Sequence, residues 1–387
     1  MAEPQPPIAV IGAGITGAFC AYLLARRGRS TVLIERDGVA AHASGTNAGG
    51  LNPLHGPGIP GPLDGFALRA LQLHLAHWPV LAELSGAAFG ARRVPRLHLA
   101  RAPDEVAALR ERGRLHDRTP GFSAQWLDGE ATRAAVPAVR GPIAGGLWSE
   151  GNARVEPAAY VSALVEAACR LGARLLTAEA TALEHERGRV TAIRLGRERL
   201  VCAGAVLATG PWCREPGRWL SLRLPVGPVR GELVRVAPGV ALDAEVTFGT
   251  TGVYEAATAG ERWLGGTADH VGLRSTPTAA GRRRITAAVA ALLPDVAAAP
   301  ALEQRAALRP VTEDGLPIIG PAPGWQNVVL ALGGGSKGML LGAAMAAAAA
   351  DALLGPTADP DLTLGLPEAT LRGLTLGGRG GERRGGR

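Results

Sequence analysis

Gly12, Gly14 and Gly17 stand at the spacing GxGxxG, directly after four apolar residues at 8 to 11 and directly before a helical pattern through Ala18, Ala21, Tyr22, Leu24 and Ala25. Each glycine has a mechanical use. Gly12 permits a tight turn, Gly14 lets the backbone approach a pyrophosphate, and Gly17 allows close helix-to-strand packing, with Ile15 and Thr16 at a helix N-terminus that favours phosphate charge. Arg26, Arg27 and Gly28 close that helix. A second apolar run, residues 31 to 34, then delivers Glu35, 18 residues beyond Gly17 and near the spacing at which an acid meets an adenosine ribose. Strand, helix, strand and acid together read as a βαβ unit for an ADP-containing cofactor.

Two other stretches match the same pattern, and context separates them. Gly56-Pro-Gly58-Ile-Pro-Gly61 follows no strand and carries prolines where a helix should start, so it reads as a loop. Gly333-Gly-Gly335-Ser-Lys-Gly338 lies between an apolar strand at 328 to 332 and an Ala-rich helix at 339 to 354, but no second strand ending in an acid follows. It suits a helix N-terminus whose backbone N–H groups meet the negative end of a flavin ring.

The elements that must position these residues belong to a chain of 387 residues, 47% hydrophobic and 19% charged, which excludes a disordered protein and points to about two or three domains. The apolar stretch at 339 to 355 is interrupted by Asp351 and reads as a buried helix, so no membrane span is expected. Of the net charge of +7, residues 371 to 387 hold five Arg against one Glu, so the basic balance lies mostly in a tail and no nucleic-acid motif supports it. Four cysteines without CxxC spacing and scattered histidines argue against a metal site, and a reducing cytoplasm is expected.

The start IAVIGAGITGAFCAYLLARRGRSTVLIER, the loop HASGTNAGGLNP, the segment RVEPAAYVSALVEAACRLGARL, the strand AVLATGPW and the end LRPVTEDGLPIIG with ALGGGSKGMLLGAAMA resemble the D-amino acid oxidase superfamily of FAD enzymes, collinearly to about Leu354. Within it the chain looks most like glycine oxidase and D-amino acid dehydrogenase. The resemblance implies FAD, held non-covalently because no cysteine occurs at 333 to 341. It also implies an α/β fold (α+β overall): a Rossmann-like FAD-binding domain of the glutathione-reductase type, with a second, antiparallel-sheet substrate domain. The expected FAD domain is discontinuous, at 1–80, 145–222 and 303–360. The substrate domain takes 81–144 and 223–302, and 361–387 form a Gly/Arg-rich flexible tail.

The resemblance also assigns residues. A small, polar loop of Ser44, Thr46, Asn47, Ala48, Gly49 and Gly50 suits a backbone that wraps ribityl and pyrophosphate. Arg36 is expected beside ribose or adenine and Thr181 beside adenine, while Thr209, Gly210 and Trp212 follow a second flavin-contact strand at 206 to 210. Gly334, Gly335, Ser336, Lys337, Gly338 and Met339 are expected at the ring, with Lys337 beside the isoalloxazine, where a cation stabilises anionic reduced flavin or aids dioxygen. On the substrate side, Arg309 matches an arginine that pairs bidentately with the substrate carboxylate, Tyr254 an active-site tyrosine, and His55 a loop residue facing substrate. Ala268-Asp269-His270 departs from the relatives' residues after GGT.

The implied reaction is hydride transfer from Cα of a small amino acid or secondary amine to flavin N5. The imine then hydrolyses, and the flavin is reoxidised by O2 or a quinone. Two alternatives stand beside it. One is oxidation of a 2-hydroxy acid with His55 or His270 as base, and the other is a flavin-bearing subunit of a hetero-oligomeric amine oxidase. Self-association into a homo-oligomer is left open.

Overall fold

The computed structural model describes residues 5–366 together with 374 and 375. Short runs rich in Val, Ile, Leu and Ala form a six-stranded sheet whose four central strands are buried almost throughout, as parallel strands covered on two sides must be, while the edge strand Arg174–Thr177 is largely exposed. Its order is Ile318–Pro321, Val328–Leu332, Gly204–Leu207, Ile8–Ile11, Thr31–Glu35 and Arg174–Thr177, all parallel except for the first pair. The GxGxxG turn therefore opens from a central strand, at the carboxyl end where ligands of such sheets bind.

Helices Ile15–Arg26 and Asp64–Ser85 each pack against both Pro157–Arg170 and Gly338–Leu354 to form the largest apolar core. Alanine dominates Gly338–Leu354, and every residue from Met339 to Ala350 is buried. A Cβ on Gly342 would stand 2.8 Å from Ile15 Cγ1, so small residues set the close helix approach. By length and composition alone, residues 335–354 would be long enough to cross a membrane. Their burial instead makes them a core helix.

An eight-stranded sheet forms the second layer, in the order Ala301–Thr312, Val226–Val236, Arg262–Gly265, Thr251–Glu255, Glu245–Phe248, Arg96–Ala100, Gly145–Glu150 and Ser123–Leu127. Every pair in it is antiparallel except the parallel pair Glu245–Phe248 and Arg96–Ala100. Two expected boundaries move. Gly145–Glu150 and Ala301–Thr312 were expected to open segments of the first domain at 145 and 303, but both are strands of this second sheet, held by its hydrogen-bond ladders.

Residues 361–366, expected to open the tail, are instead tied to the fold. Leu362 and Leu364 are buried, Arg69 donates to the carbonyl oxygens of Thr363 and Leu364, and Asp351 accepts from Thr363 Oγ1 and the Leu364 N–H. The Arg-rich end at 376–387 lies outside the described residues. The strand expected at 206 to 210 runs Gly204–Leu207, because Gly210 takes φ 57° and turns the chain.

Candidate active site

A cavity of about 970 Å³ extends from the GxGxxG turn to the face of the eight-stranded sheet. Every sequence-predicted site residue except Gly17 and His270 lines it. Gly17 acts beneath the wall, where a Cβ would lie 1.8 Å from the Gly12 carbonyl oxygen. Gly12 has φ 104°, and a Cβ there would stand 2.5 Å from Ala208 O. A Cβ on Gly14 would come within 2.9 Å of Ser44 Oγ, which accepts from the Ile15 N–H at 2.9 Å. Glu35 accepts from the N–H groups of Ala13 (2.7 Å) and Asp37 (2.8 Å), fixing its carboxylate beside the turn.

Arg36 is exposed and paired with Asp37 and Glu179, and its guanidinium lies 5.7 Å from the Trp212 ring centre. His42 lies against the same indole, 4.4 Å between ring centres. Thr181 is tied through its N–H to Arg194 O at this end. Between the two ends, Asn47 braces its own loop by donating to the carbonyls of Ala43 and Ser44 and accepting from the Gly49 N–H. Gly49 is required there, with φ 80° and a Cβ position 2.0 Å from Val155 O.

The far end is a chamber under the second sheet. Arg309, on Ala301–Thr312, donates to Thr267 O at 2.7 Å and forms no ion pair among the described residues. Glycine makes its space, since a Cβ on Gly231 of the adjacent strand would stand 2.3 Å from the guanidinium. Gly252 does the same for Tyr254, where a Cβ would come 2.4 Å from the ring hydroxyl. Burial raises the Tyr254 pKa above its ordinary value of 10.0, so the phenol keeps its proton.

Arg96 also reaches the chamber, 5.9 Å from the Tyr254 ring centre, and pairs with the buried Glu245 at 2.6 Å. Register explains the pair: Arg96 and Glu245 are direct partners on adjacent parallel strands. Glu245 also faces the buried Arg154 at 3.6 Å. Lys337 Nζ donates to Asn52 O at 2.6 Å. Desolvation, then repulsion from Arg96 and Arg112, lowers the Lys337 pKa to about 7. His55 accepts at Nδ1 from Arg112 (3.3 Å), and burial followed by Arg96, Arg112 and Lys337 holds its pKa well below 6.5. It is a neutral imidazole. His270 is exposed and outside the cavity lining. Asp269 pairs with Arg230 and Arg284, which gives the departure after GGT a structural use.

The family model for FAD dependent oxidoreductases matches residues 7–352. The chain belongs to this FAD-dependent oxidoreductase family. It is 29% identical to glycine oxidase of Geobacillus kaustophilus over 344 residues, covering 86% of this chain and 89% of that one. D-amino acid dehydrogenase of Methylobacterium nodulans is 27% identical, over 90% of this chain and 95% of its own. The crystal structure of the Geobacillus kaustophilus glycine oxidase superposes with a TM-score of 0.85 at 25% identity, covering 94% of this chain and 99% of that one.

The family cofactor, FAD, fits the residues present. The Gly12–Gly17 turn leaves bare backbone at a helix N-terminus, Glu35 stands at ribose distance along the chain, and the Gly333–Gly338 loop opens a second helix onto the same cavity. No cysteine lines the cavity among the described residues.

Arg96, Asn52, Glu245, Gly231 and Gly252 were not singled out from the sequence. One of 40 arginines carries no signal alone, and the two glycines matter only through neighbours on other strands or across a pleat.

Proposed function

We propose that this family member oxidises the C–N bond of a small amino acid or secondary amine. Arg309 carries the reading. It is a cavity-lining guanidinium with no carboxylate partner among the described residues, so it offers a substrate carboxylate the bidentate pairing that its own fold does not supply. Tyr254, kept protonated by burial, offers its hydroxyl to the same substrate and limits how it can rotate. The names of the relatives, glycine oxidase and D-amino acid dehydrogenase, support the same bond class.

The chamber's cations also act on the substrate nitrogen. A substrate ammonium placed near Arg96, Arg309 and Lys337 is destabilised by like charge, so it sheds its proton to solvent and presents a neutral amine without a dedicated base. FAD, when bound, accepts the hydrogen and electron pair lost from Cα and passes them to dioxygen or a quinone. The imine product hydrolyses in water to a carbonyl compound and ammonia or a primary amine. Four free cysteines suit a reducing compartment such as the cytoplasm.

The 2-hydroxy acid alternative lacks its base. His270 lies outside the cavity, and His55 is held neutral with its acceptor nitrogen already engaged by Arg112.

The test is Arg309→Met, assayed with glycine and sarcosine at saturating FAD. Truncating a buried charge partner costs about 2–5 kcal/mol. We expect kcat/KM to fall roughly 100- to 1000-fold, mainly through KM, with FAD content unchanged. Wild-type kinetics in that variant would overturn the assignment.

A further inference from the structure

The two ends of the cavity are charged differently. Around the GxGxxG turn the lining holds Glu35, Asp37, Glu179 and Glu215 beside Arg36 and Arg214, so acids and bases are mixed. The chamber lining holds Arg96, Arg309 and Lys337 and, among the described residues, no carboxylate. Glu245 stands behind Arg96 rather than on the wall, and is shared with Arg154. Arg96 has a carboxylate of its own in Glu245, whereas Arg309 and Lys337 have none among the described residues, so an anionic ligand would relieve the cost of their desolvation.

The surplus falls into two poles. Arg309 sits beside Gly231 and Gly266 and donates to the Thr267 carbonyl oxygen. Lys337 and Arg96 meet elsewhere, at Asn52, with Arg96 5.9 Å from the Tyr254 ring centre. Glycines make room at the second pole as they do at the first. A Cβ on Gly56 would come within 2.8 Å of Lys337 Cε, and one on Gly50 within 3.3 Å of Arg96 Nη2. Lys337 spends one N–H on Asn52 O and keeps two donors. Arg96 is committed to Glu245 and, with the Asn52 amide oriented to suit its neighbours, to Asn52 Oδ1 at 2.6 Å. Arg96 therefore contributes charge while Lys337 contributes free hydrogen bonds.

We propose that the substrate is an amino or imino acid with two anionic groups, the first held by Arg309 and the second by Lys337 with Arg96 behind it. This rests on the amine-oxidation reading and narrows it. A monocarboxylate such as glycine satisfies only one pole. A second carboxylate on the side chain or on the nitrogen substituent satisfies both, and fixes which face of Cα is presented.

The test uses two ligands that cannot be oxidised at nitrogen. Methoxyacetate and oxydiacetate are the oxygen isosteres of sarcosine and iminodiacetate and differ by one carboxylate. Calorimetric titration of the FAD-loaded protein is expected to give oxydiacetate at least a tenfold lower Kd. Lys337→Met should bring the ratio to about two, and Lys337→Arg should keep most of the preference. Equal Kd values in the wild type, or a ratio untouched by Lys337→Met, would overturn the proposal. If Lys337→Met fails to retain FAD, the wild-type ratio and Lys337→Arg decide. Turnover separates this proposal from the broader one. If sarcosine is oxidised at least as well as iminodiacetate and the Kd values are equal, only the second pole falls. If glycine, the D-amino acids and both secondary amines are all inert, the amine reading itself falls.

Discussion

The two ends of the cavity are built in opposite ways. The dinucleotide end is anchored by one continuous segment, Ile8 to Glu35, whose glycines, helix start and acid lie within a single βαβ unit. The chamber draws Asn52, Arg96, Tyr254, Arg309 and Lys337 from positions scattered over most of the chain. Backbone geometry carries the first, and side-chain charge set by sheet register carries the second. A fold can therefore keep its cofactor end while changing what its chamber accepts.

Gly17→Ala attacks the first end hardest, because its Cβ would sit 1.8 Å from the Gly12 carbonyl oxygen and the βαβ turn must open. We expect FAD to be lost on gel filtration and the melting temperature to fall by roughly 5–10 °C, an overpacking cost at the upper end of the usual range. A variant that keeps both would mean that the turn does not set the cofactor end.

Glu245→Gln attacks the second end from behind. It leaves Arg96 and Arg154 buried without their shared carboxylate, although Arg154 keeps Glu156 at 3.1 Å. Breaking such a pair costs about 3 kcal/mol, which should appear as a lower urea midpoint at unchanged slope, with FAD affinity little altered. Weakened FAD binding of the same size would show that the two ends are not independent.

The smallest effect is in pH. Lys337 titrates near 7, close to the guanidinium groups of Arg96 and Arg112, while His55 and His98 stay neutral above pH 6. The ammonium is largely present at pH 6 and is lost as pH climbs past about 7. A ligand that needs it should bind more weakly with rising pH, by at most about tenfold per unit. The oxydiacetate Kd should therefore rise from pH 6 to 9 while that of methoxyacetate stays flat. Parallel profiles would remove Lys337 from the binding site.

The same contrast explains what the sequence disclosed. The strand at Ile8–Ile11, the helix after it and Glu35 were legible because each signal is local: apolar run, glycine spacing, cap and acid. Arg309, Tyr254, His55 and Lys337 were reached through family resemblance, since no spacing links them. Arg96 and Glu245 could not be paired from sequence, because their adjacency depends on a parallel register between strands 149 positions apart. The domain boundary at 303 shifted for the same reason. Ala301–Thr312 is long enough to belong to either unit, and only its pairing along the whole of Val226–Val236 assigns it to the second sheet.

The most direct measurement is an anaerobic absorbance titration of the FAD-loaded protein with glycine, sarcosine, iminodiacetate, D-amino acids and the corresponding 2-hydroxy acids, followed by admission of air. The account expects amines to bleach the oxidised flavin and hydroxy acids to leave it unchanged, and the rate of recovery in air sorts oxidase from dehydrogenase. Bleaching by hydroxy acids alone, with every amine inert, would contradict it.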